Sequence, residues 1–208
     1  MDIIKHKILP ILVYQVDEVL LKNQFKKLER VVTKDSQKII KKHSAIQGDS
    51  ISSSIFGSDI QYDLTNKNNV SCFLTHFLLN NIKEKFIELS STYAKEFGFT
   101  FYGHMLNSWF NIQKEGSILN KHNHPLSTIS AAYYLKADEN SSPICFYNPN
   151  PFIKFSEITG PGTEYSSEGI LFKPKTNSMF LFPSWLSHGS YNIKNKSKER
   201  IVISFNCI

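Results

Sequence analysis

The sequence after Gly98 is a series of short runs rich in Phe, Tyr, Ile, Val and Ser, separated by Gly, Pro and Asn. Runs of this length and composition are typical of strands bounded by turns. We expect about eight such strands, at residues 100–112, 117–122, 128–136, 144–147, 169–173, 178–183, 188–193 and 199–207. This number of short strands with turns between them indicates a sandwich or a barrel.

The first half of the sequence has helical periodicity instead. Apolar side chains between Phe73 and Phe97 recur at steps of mostly three and four residues, which predicts a helix ended by Gly98. A second, weaker helical pattern follows Asp17, which we expect to be its N-cap. Residues 8–16 are expected to form a short strand.

Two segments are predicted to be loops. Residues 50–58 are rich in Ser and Gly. Residues 149–162 are rich in Pro and Gly and too long for a hairpin turn, so we expect a lid or a binding loop there. The expected organisation is a single domain over residues 1–208, in which residues 1–98 are mostly helical support and residues 99–208 form the β core.

Composition excludes several classes of protein. Hydrophobic residues make up 41% and charged residues 20% of the 208 residues, as in ordinary globular proteins and unlike disordered chains or coiled coils. No apolar run approaches the roughly 20 residues that span a bilayer. The apolar run at residues 8–14 contains Pro10 and lacks a small-residue cleavage site, so we do not expect a signal peptide.

Cysteine usage and charge bear on the compartment and on possible nucleic-acid binding, and we expect a cytoplasmic protein. The three cysteines are widely spaced and form no C-x-x-C pair, which suits a reducing cytosol and argues against a disulfide scaffold or a thiolate zinc site. The net charge of +6 comes almost entirely from lysine. Nucleic-acid binding is disfavoured, since the lysines are scattered and Arg30 and Arg200 are the only arginines.

The pair His122 and His124 is the first indication of a metal site. In an extended strand, residues i and i+2 point to the same face, roughly 6.6 Å apart along the chain. Pro125 follows the pair and ends the strand, and pockets of barrels commonly open at strand ends. His188 is a candidate third ligand, and three protein ligands on one face leave open positions, as non-haem iron enzymes need. The alternative is that the pair lies in a polar surface run.

Arg200 and Tyr134 are candidate ligand-binding residues. Period two places Arg200, Val202 and Ser204 on one face of the last predicted strand, and a buried guanidinium there needs an anionic partner such as a carboxylate. The alternative is a surface arginine paired with Glu199. Tyr134 shares a strand face with the small residues Ser130 and Ala132, which leaves room for a ligand within reach of its phenol. Its neighbour Tyr133 is expected to be a core residue.

Together these residues resemble the 2-oxoglutarate/Fe(II)-dependent oxygenases. The matching branch has W-x-N, then G, H-x-H-P, S-x-x-Y-Y-L/V, F-P-S-W-L-x-H and R-x-x-x-S-x-N. This chain carries the pattern in order, over roughly residues 105–208, in Trp109, Asn111, Gly116, residues 122–125, residues 130–135, residues 182–188, Arg200, Ser204 and Asn206.

The resemblance implies a fold of class α+β, mainly β: a double-stranded β-helix, or jelly roll, with the N-terminal helices packed on it. It implies that His122 and His188 bind Fe(II), that Arg200 pairs with the distal carboxylate of 2-oxoglutarate, and that Tyr134 hydrogen-bonds this cosubstrate. Asn111 lies where related enzymes often place a polar contact to the cosubstrate. The implied partners are 2-oxoglutarate, molecular oxygen and a prime substrate that the sequence does not name.

The sequence departs from the superfamily at His124, where most members have an aspartate or glutamate. A third histidine would keep the facial geometry but remove one negative charge, so the ferrous centre with bound 2-oxoglutarate would be formally neutral. We expect His124 to be a ligand, and the alternative is a two-histidine site with an open position, as in halogenating relatives. Two other functions stay open: a three-histidine cupin-type metalloenzyme without 2-oxoglutarate, and a non-enzymatic jelly-roll binding module.

Overall fold

The computed structural model describes residues 10–42, 50–52, 73–75, 77–155, 162–163 and 165–208. Its strands form a six-stranded and a three-stranded antiparallel sheet, with orders β1-β7-β4-β9-β3-β2 and β6-β5-β8. The strands are β1 (Tyr14–Val16), β2 (Ser50–Ser52), β3 (Met105–Lys114), β4 (Ile129–Lys136), β5 (Ile144–Tyr147), β6 (Gly169–Phe172), β7 (Ser178–Pro183), β8 (His188–Gly189) and β9 (Glu199–Cys207). The helices are α1 (Lys22–Lys42) and α2 (Asn80–Phe97).

The large sheet is covered on both faces, which explains the apolar character of its central strands. On one face α2 inserts Phe86, whose ring stacks on Phe205 and contacts Tyr133, with centroid distances of 5.2 Å to both. On the other face Phe146 of the small sheet packs against Phe182 at 4.9 Å. Successive residues of the central strands therefore enter two different cores. Tyr133 lies in the helix-side core, as expected.

The expected fold class is confirmed, because the chain is mainly antiparallel β with helices on one side of the large sheet. Both β1 and β2 come from the first half of the chain and pair with β7 and β3, so this half also contributes to the β structure. Within the described residues, no helix is both long enough and apolar enough to cross a membrane.

The helix boundaries correct two sequence predictions. Residues 73–75 and 77–79 form short 3₁₀ turns, and the α-helix begins only at Asn80. Its end is as predicted, because Gly98 caps it in the left-handed region at φ 86°. Asp17 is not the N-cap of α1: it pairs with Lys175 at 2.7 Å, and the helix begins at Lys22.

The strand predictions are correct for 144–147, 178–183 and 199–207, and they differ by one residue at one end for 128–136 and 169–173. The strand expected at 100–112 instead runs from Met105 to Lys114. Residues 117–122 do not form a strand, and only His122 makes an isolated bridge. The strand expected at 188–193 is two residues long, because the chain turns sharply at Tyr191 and Asn192, both with positive φ.

Three predicted segments lie partly outside the described residues. The loop expected at 50–58 begins instead with β2, and residues 53–58 are not described. Residues 8–9 of the first predicted strand are not described either, and β1 starts at Tyr14. In the stretch 149–162, residues 151–155 form a 3₁₀ turn and 156–161 are not described, so its role as a lid stays a prediction.

Candidate active site

Two histidines from remote parts of the chain are joined by their backbones. His122 and His188 form an antiparallel bridge, in which each backbone N–H donates to the other residue's carbonyl at 2.9 and 2.8 Å. This bridge extends the edge of the small sheet at β8 and brings the two imidazoles to a centroid distance of 4.2 Å. The proximity of the rings is therefore fixed by main-chain hydrogen bonds.

The same two rings have their orientation set by local hydrogen bonds. Nδ1 of His122 lies 2.8 Å from the carbonyl of Asn120, and Nδ1 of His188 lies 3.0 Å from the carbonyl of Leu186. Because a carbonyl only accepts, Nδ1 carries the proton and donates in both rings. This tautomer leaves the Nε2 lone pair free, as is usual for histidines that bind a metal.

His124 is held differently. Its backbone N–H donates to the carbonyl of Ser184 at 2.9 Å. Its ring stacks between Trp109 at 5.5 Å and His188 at 5.0 Å. The Nε2 atom of His124 is buried and has no hydrogen-bond partner among the described residues. A buried polar nitrogen without a partner is costly, and a metal ion is one group that would satisfy it.

The three imidazoles can hold one metal ion. One ring nitrogen from each of His122, His124 and His188 lies within 4.8 Å of the others. Burial is the main cause that lowers the pKa of His188 to about 3 and the pKa of His124 to about 4, and charge on His122 lowers both further. Both rings are therefore neutral near pH 7, the state in which imidazole binds a metal. The donor set fits a divalent transition metal.

A cavity of about 180 Å³ opens beside the three imidazoles. This is room for roughly six waters at about 30 Å³ each, so a small organic acid fits it. No acidic side chain is among the described residues that line the cavity, which are Trp109, Asn111, Gln113, Leu119, His122, His124, Ala131, Ala132, Tyr134, Ile144, Phe182, His188, Arg200, Val202 and Ser204.

Arg200 lies in the wall of this cavity and is only 2% exposed. Its Nη2 donates to the hydroxyl of Tyr134 at 3.1 Å, and its Nη1 donates to the side-chain oxygen of Gln113. Its Nε is buried and has no hydrogen-bond partner in the part of the chain that the structure describes. The surface alternative for Arg200 is wrong, because Glu199 pairs with Lys136 at 3.0 Å instead. Burial raises the pKa of the Tyr134 phenol, which stays protonated and able to donate a hydrogen bond.

The structure thus brings all six predicted site residues to one cavity: His122, His124, His188, Arg200, Tyr134 and Asn111. Sequence reasoning missed two residues with a specific contact there. Gln113 holds Arg200, and Trp109, known only as part of the pattern, stacks on His124. The signal for Gln113 was its spacing, since it continues the period-two series of Trp109 and Asn111 along β3.

Residues 107–206 match the family model described as "Putative 2OG-Fe(II) oxygenase". Over these residues, which are just under half of the chain, the protein is similar to the 2-oxoglutarate/Fe(II)-dependent oxygenase superfamily. The resemblance stated from the sequence is confirmed at this level, together with the enzyme class. The superfamily is named for the two expected cofactors, Fe(II) and 2-oxoglutarate. A comparison with curated proteins finds no match.

Solved structures of oxygenases share the jelly-roll fold. HygX from Streptomyces hygroscopicus, with nickel and 2-oxoglutarate bound, aligns with a TM-score of 0.55 and 8% identity over 94% of this chain and 81% of HygX. A prolyl-4-hydroxylase from Pseudomonas putida aligns with a TM-score of 0.52 and 9% identity, over 94% of this chain and 92% of the hydroxylase chain. The viral collagen prolyl hydroxylase vCPH from Paramecium Bursaria Chlorella virus-1 aligns with a TM-score of 0.50 and 11% identity, over 100% of both chains. At such identities the likeness shows the fold alone.

Proposed function

We propose that the protein is a non-haem Fe(II)- and 2-oxoglutarate-dependent oxygenase whose metal is held by His122, His124 and His188. One observation carries the proposal: three imidazoles converge on a cavity whose wall holds a buried arginine with no carboxylate partner among the described residues. The described residues leave Nε2 of His124 unpaired beside the proposed metal, and they leave the N–H of Arg200 Nε unpaired in the wall that would bind the cosubstrate.

When bound, Fe(II) and 2-oxoglutarate supply the oxidative chemistry, in which O₂ is consumed, 2-oxoglutarate is decarboxylated to succinate, and the prime substrate is oxidised, with hydroxylation as the expected outcome. The residues of the chain would orient the cosubstrate and shield it from water. Arg200 would bind the distal carboxylate and Tyr134 would donate a hydrogen bond to it, while Asn111 would make a further polar contact from β3. The apolar side chains of Ile144, Phe182 and Val202 exclude water from this part of the cavity.

The proposal is tested by anaerobic titration of the purified protein with Fe(II) and then 2-oxoglutarate. A visible charge-transfer band and 2-oxoglutarate-dependent succinate formation in air are expected. Absence of both would refute the proposal. Retention of transition metal without any 2-oxoglutarate dependence would favour the cupin-type alternative, and failure to retain any metal would favour a binding module.

The role of His124 is tested separately by metal content. His124→Ala should lower Fe(II) affinity by about tenfold or more, because a ligand is lost, whereas His124→Asp should retain the metal with a carboxylate in the same position. His104→Ala is the matched control, since His104 is exposed and does not line the cavity. Wild-type affinity in His124→Ala would support the two-histidine alternative.

Arg200→Met separates metal binding from cosubstrate binding. The variant should keep its metal, because Arg200 is not a ligand, and should lose 2-oxoglutarate affinity by about thirtyfold or more, since the carboxylate would lose its charged partner. Unchanged 2-oxoglutarate binding in this variant would contradict the assigned role of Arg200.

A further inference from the structure

Gln113 is positioned to control Arg200. The two residues are directly paired in the β3–β9 ladder, and Gln113 is only 5% exposed. Its side-chain oxygen accepts a hydrogen bond from Nη1 of Arg200. Its backbone carbonyl is in turn an acceptor for the side-chain amide of Asn195 at 3.3 Å, and Asn195 does not line the cavity.

Both groups that contact the guanidinium are neutral. Gln113 and Tyr134 accept hydrogen bonds from Nη1 and Nη2, and Arg200 has no ion-pair partner in the part of the chain that the structure describes. Arginine stays protonated in proteins, so a full positive charge is buried in this wall. A buried charge without a counter-ion is unfavourable, and the free energy is recovered when an anion enters the cavity.

A glutamate in place of Gln113 would have almost the same shape and could accept the same hydrogen bond. It would also supply a buried carboxylate opposite Arg200 and so neutralise the guanidinium before any ligand arrives. Whether residue 113 is an amide or an acid therefore determines whether the charge of Arg200 is available to bind an anionic ligand.

We propose that Gln113 is a positioning residue, which orients Arg200 through a neutral hydrogen bond and so keeps its charge free for the carboxylate of an oxoacid ligand. The inference rests on the proposed function and deepens it. It makes a specific claim: charge at position 113, and not the hydrogen bond alone, controls the affinity for 2-oxoglutarate.

The test compares Gln113→Glu with Gln113→Met by calorimetric titration of 2-oxoglutarate into the Fe(II)-loaded protein without oxygen, alongside the melting temperature. Gln113→Glu should bind 2-oxoglutarate about thirtyfold or more weakly, because Arg200 already has a carboxylate partner. Its melting temperature should equal or exceed that of the wild type. Gln113→Met, which removes the acceptor without adding charge, should lose only a few-fold in affinity, with a lower melting temperature.

Three results would overturn the inference. The first is wild-type affinity in Gln113→Glu, the second is a larger loss in Gln113→Met than in Gln113→Glu, and the third is failure of Gln113→Glu to fold, since the ion pair it should form would not exist. If the wild type itself does not bind 2-oxoglutarate, the proposed function has failed.

A double-mutant cycle with Arg200→Met completes the test. Because Gln113 acts through Arg200, Gln113→Met should have no further effect on the residual affinity once Arg200 is removed. Additive losses in the double variant would show that Gln113 acts independently of Arg200 and would also overturn the inference.

Discussion

Replacing Gly189 by alanine should damage the metal site without touching a ligand. An added Cβ would lie 2.8 Å from the carbonyl oxygen of Leu119 and 2.9 Å from that of Asn120. Both are backbone atoms, so neither can move aside by a side-chain rotation. The segment packs this closely because the bridge between His122 and His188 holds it against β8.

The expected magnitude follows from what those two carbonyls do. Relief of the contacts requires the segment to move by a few tenths of an ångström, and overpacking of this kind costs about 1–3 kcal/mol of the free energy of unfolding. The carbonyl of Asn120 also accepts the hydrogen bond from Nδ1 of His122. Loss of such a partner of a metal ligand lowers metal affinity by about 10–100-fold, so we expect a decrease of at least about tenfold.

The assay is metal affinity by competition with a chelator, combined with urea unfolding of the metal-free protein. Gly169→Ala is the matched control: its Cβ would lie 2.5 Å from Sγ of Cys145 in the same small sheet, and neither residue lines the cavity. The control should lose stability and keep its metal affinity. If Gly189→Ala loses stability while metal affinity stays at the wild-type value, the coupling of the 119–122 segment to the site is refuted.

Three further perturbations follow from the packing. Phe86→Ala should lower the free energy of unfolding in urea by about 3–5 kcal/mol, and Phe86→Leu by less, because Phe86 is fully buried between α2 and the large sheet; equal effects would contradict this packing. Burial is the main cause that raises the pKa of the Cys145 thiol to about 11, so iodoacetamide at pH 8 should label Cys145 far more slowly in the native protein than in urea, as measured by peptide mass spectrometry; similar rates would show that the thiol is accessible. Trp109→Leu should weaken metal binding by about tenfold while Trp109→Phe retains most of it, because the indole stacks on His124; unchanged affinity in Trp109→Leu would exclude this role.

The strands that sequence reasoning placed correctly are those whose pattern is local. Residues 178–183 and 199–207 are apolar or alternating runs bounded by turn residues, and they form inner strands of the large sheet on either side of β4. The region from Phe73 to Phe97 has a helical apolar pattern throughout, yet its first part forms 3₁₀ turns, and the α-helix begins at Asn80. Periodicity identified the face that packs and not the point where the α-helix begins.

Residues 117–122 show what local pattern could not provide. Their backbone hydrogen bonds go to Asn195, Ser190 and His188, at irregular intervals, because the sharp turn at Tyr191 and Asn192 disrupts the register. A segment paired in this way contains apolar residues but is not a regular strand. Gln113 was missed because the predicted strand ended at residue 112. In the structure β3 continues to Lys114 through its pairing with β9, which the local sequence pattern does not indicate.

The bridge between His122 and His188 has a thermodynamic consequence. These residues lie far apart along the chain, and an ion shared by their imidazoles would act as a reversible cross-link that is lost when the chain unfolds. By linkage, the folded state would gain stability with the logarithm of the free ion concentration above its dissociation constant. The melting temperature of this protein would then rise with the free metal concentration and could be used to measure it.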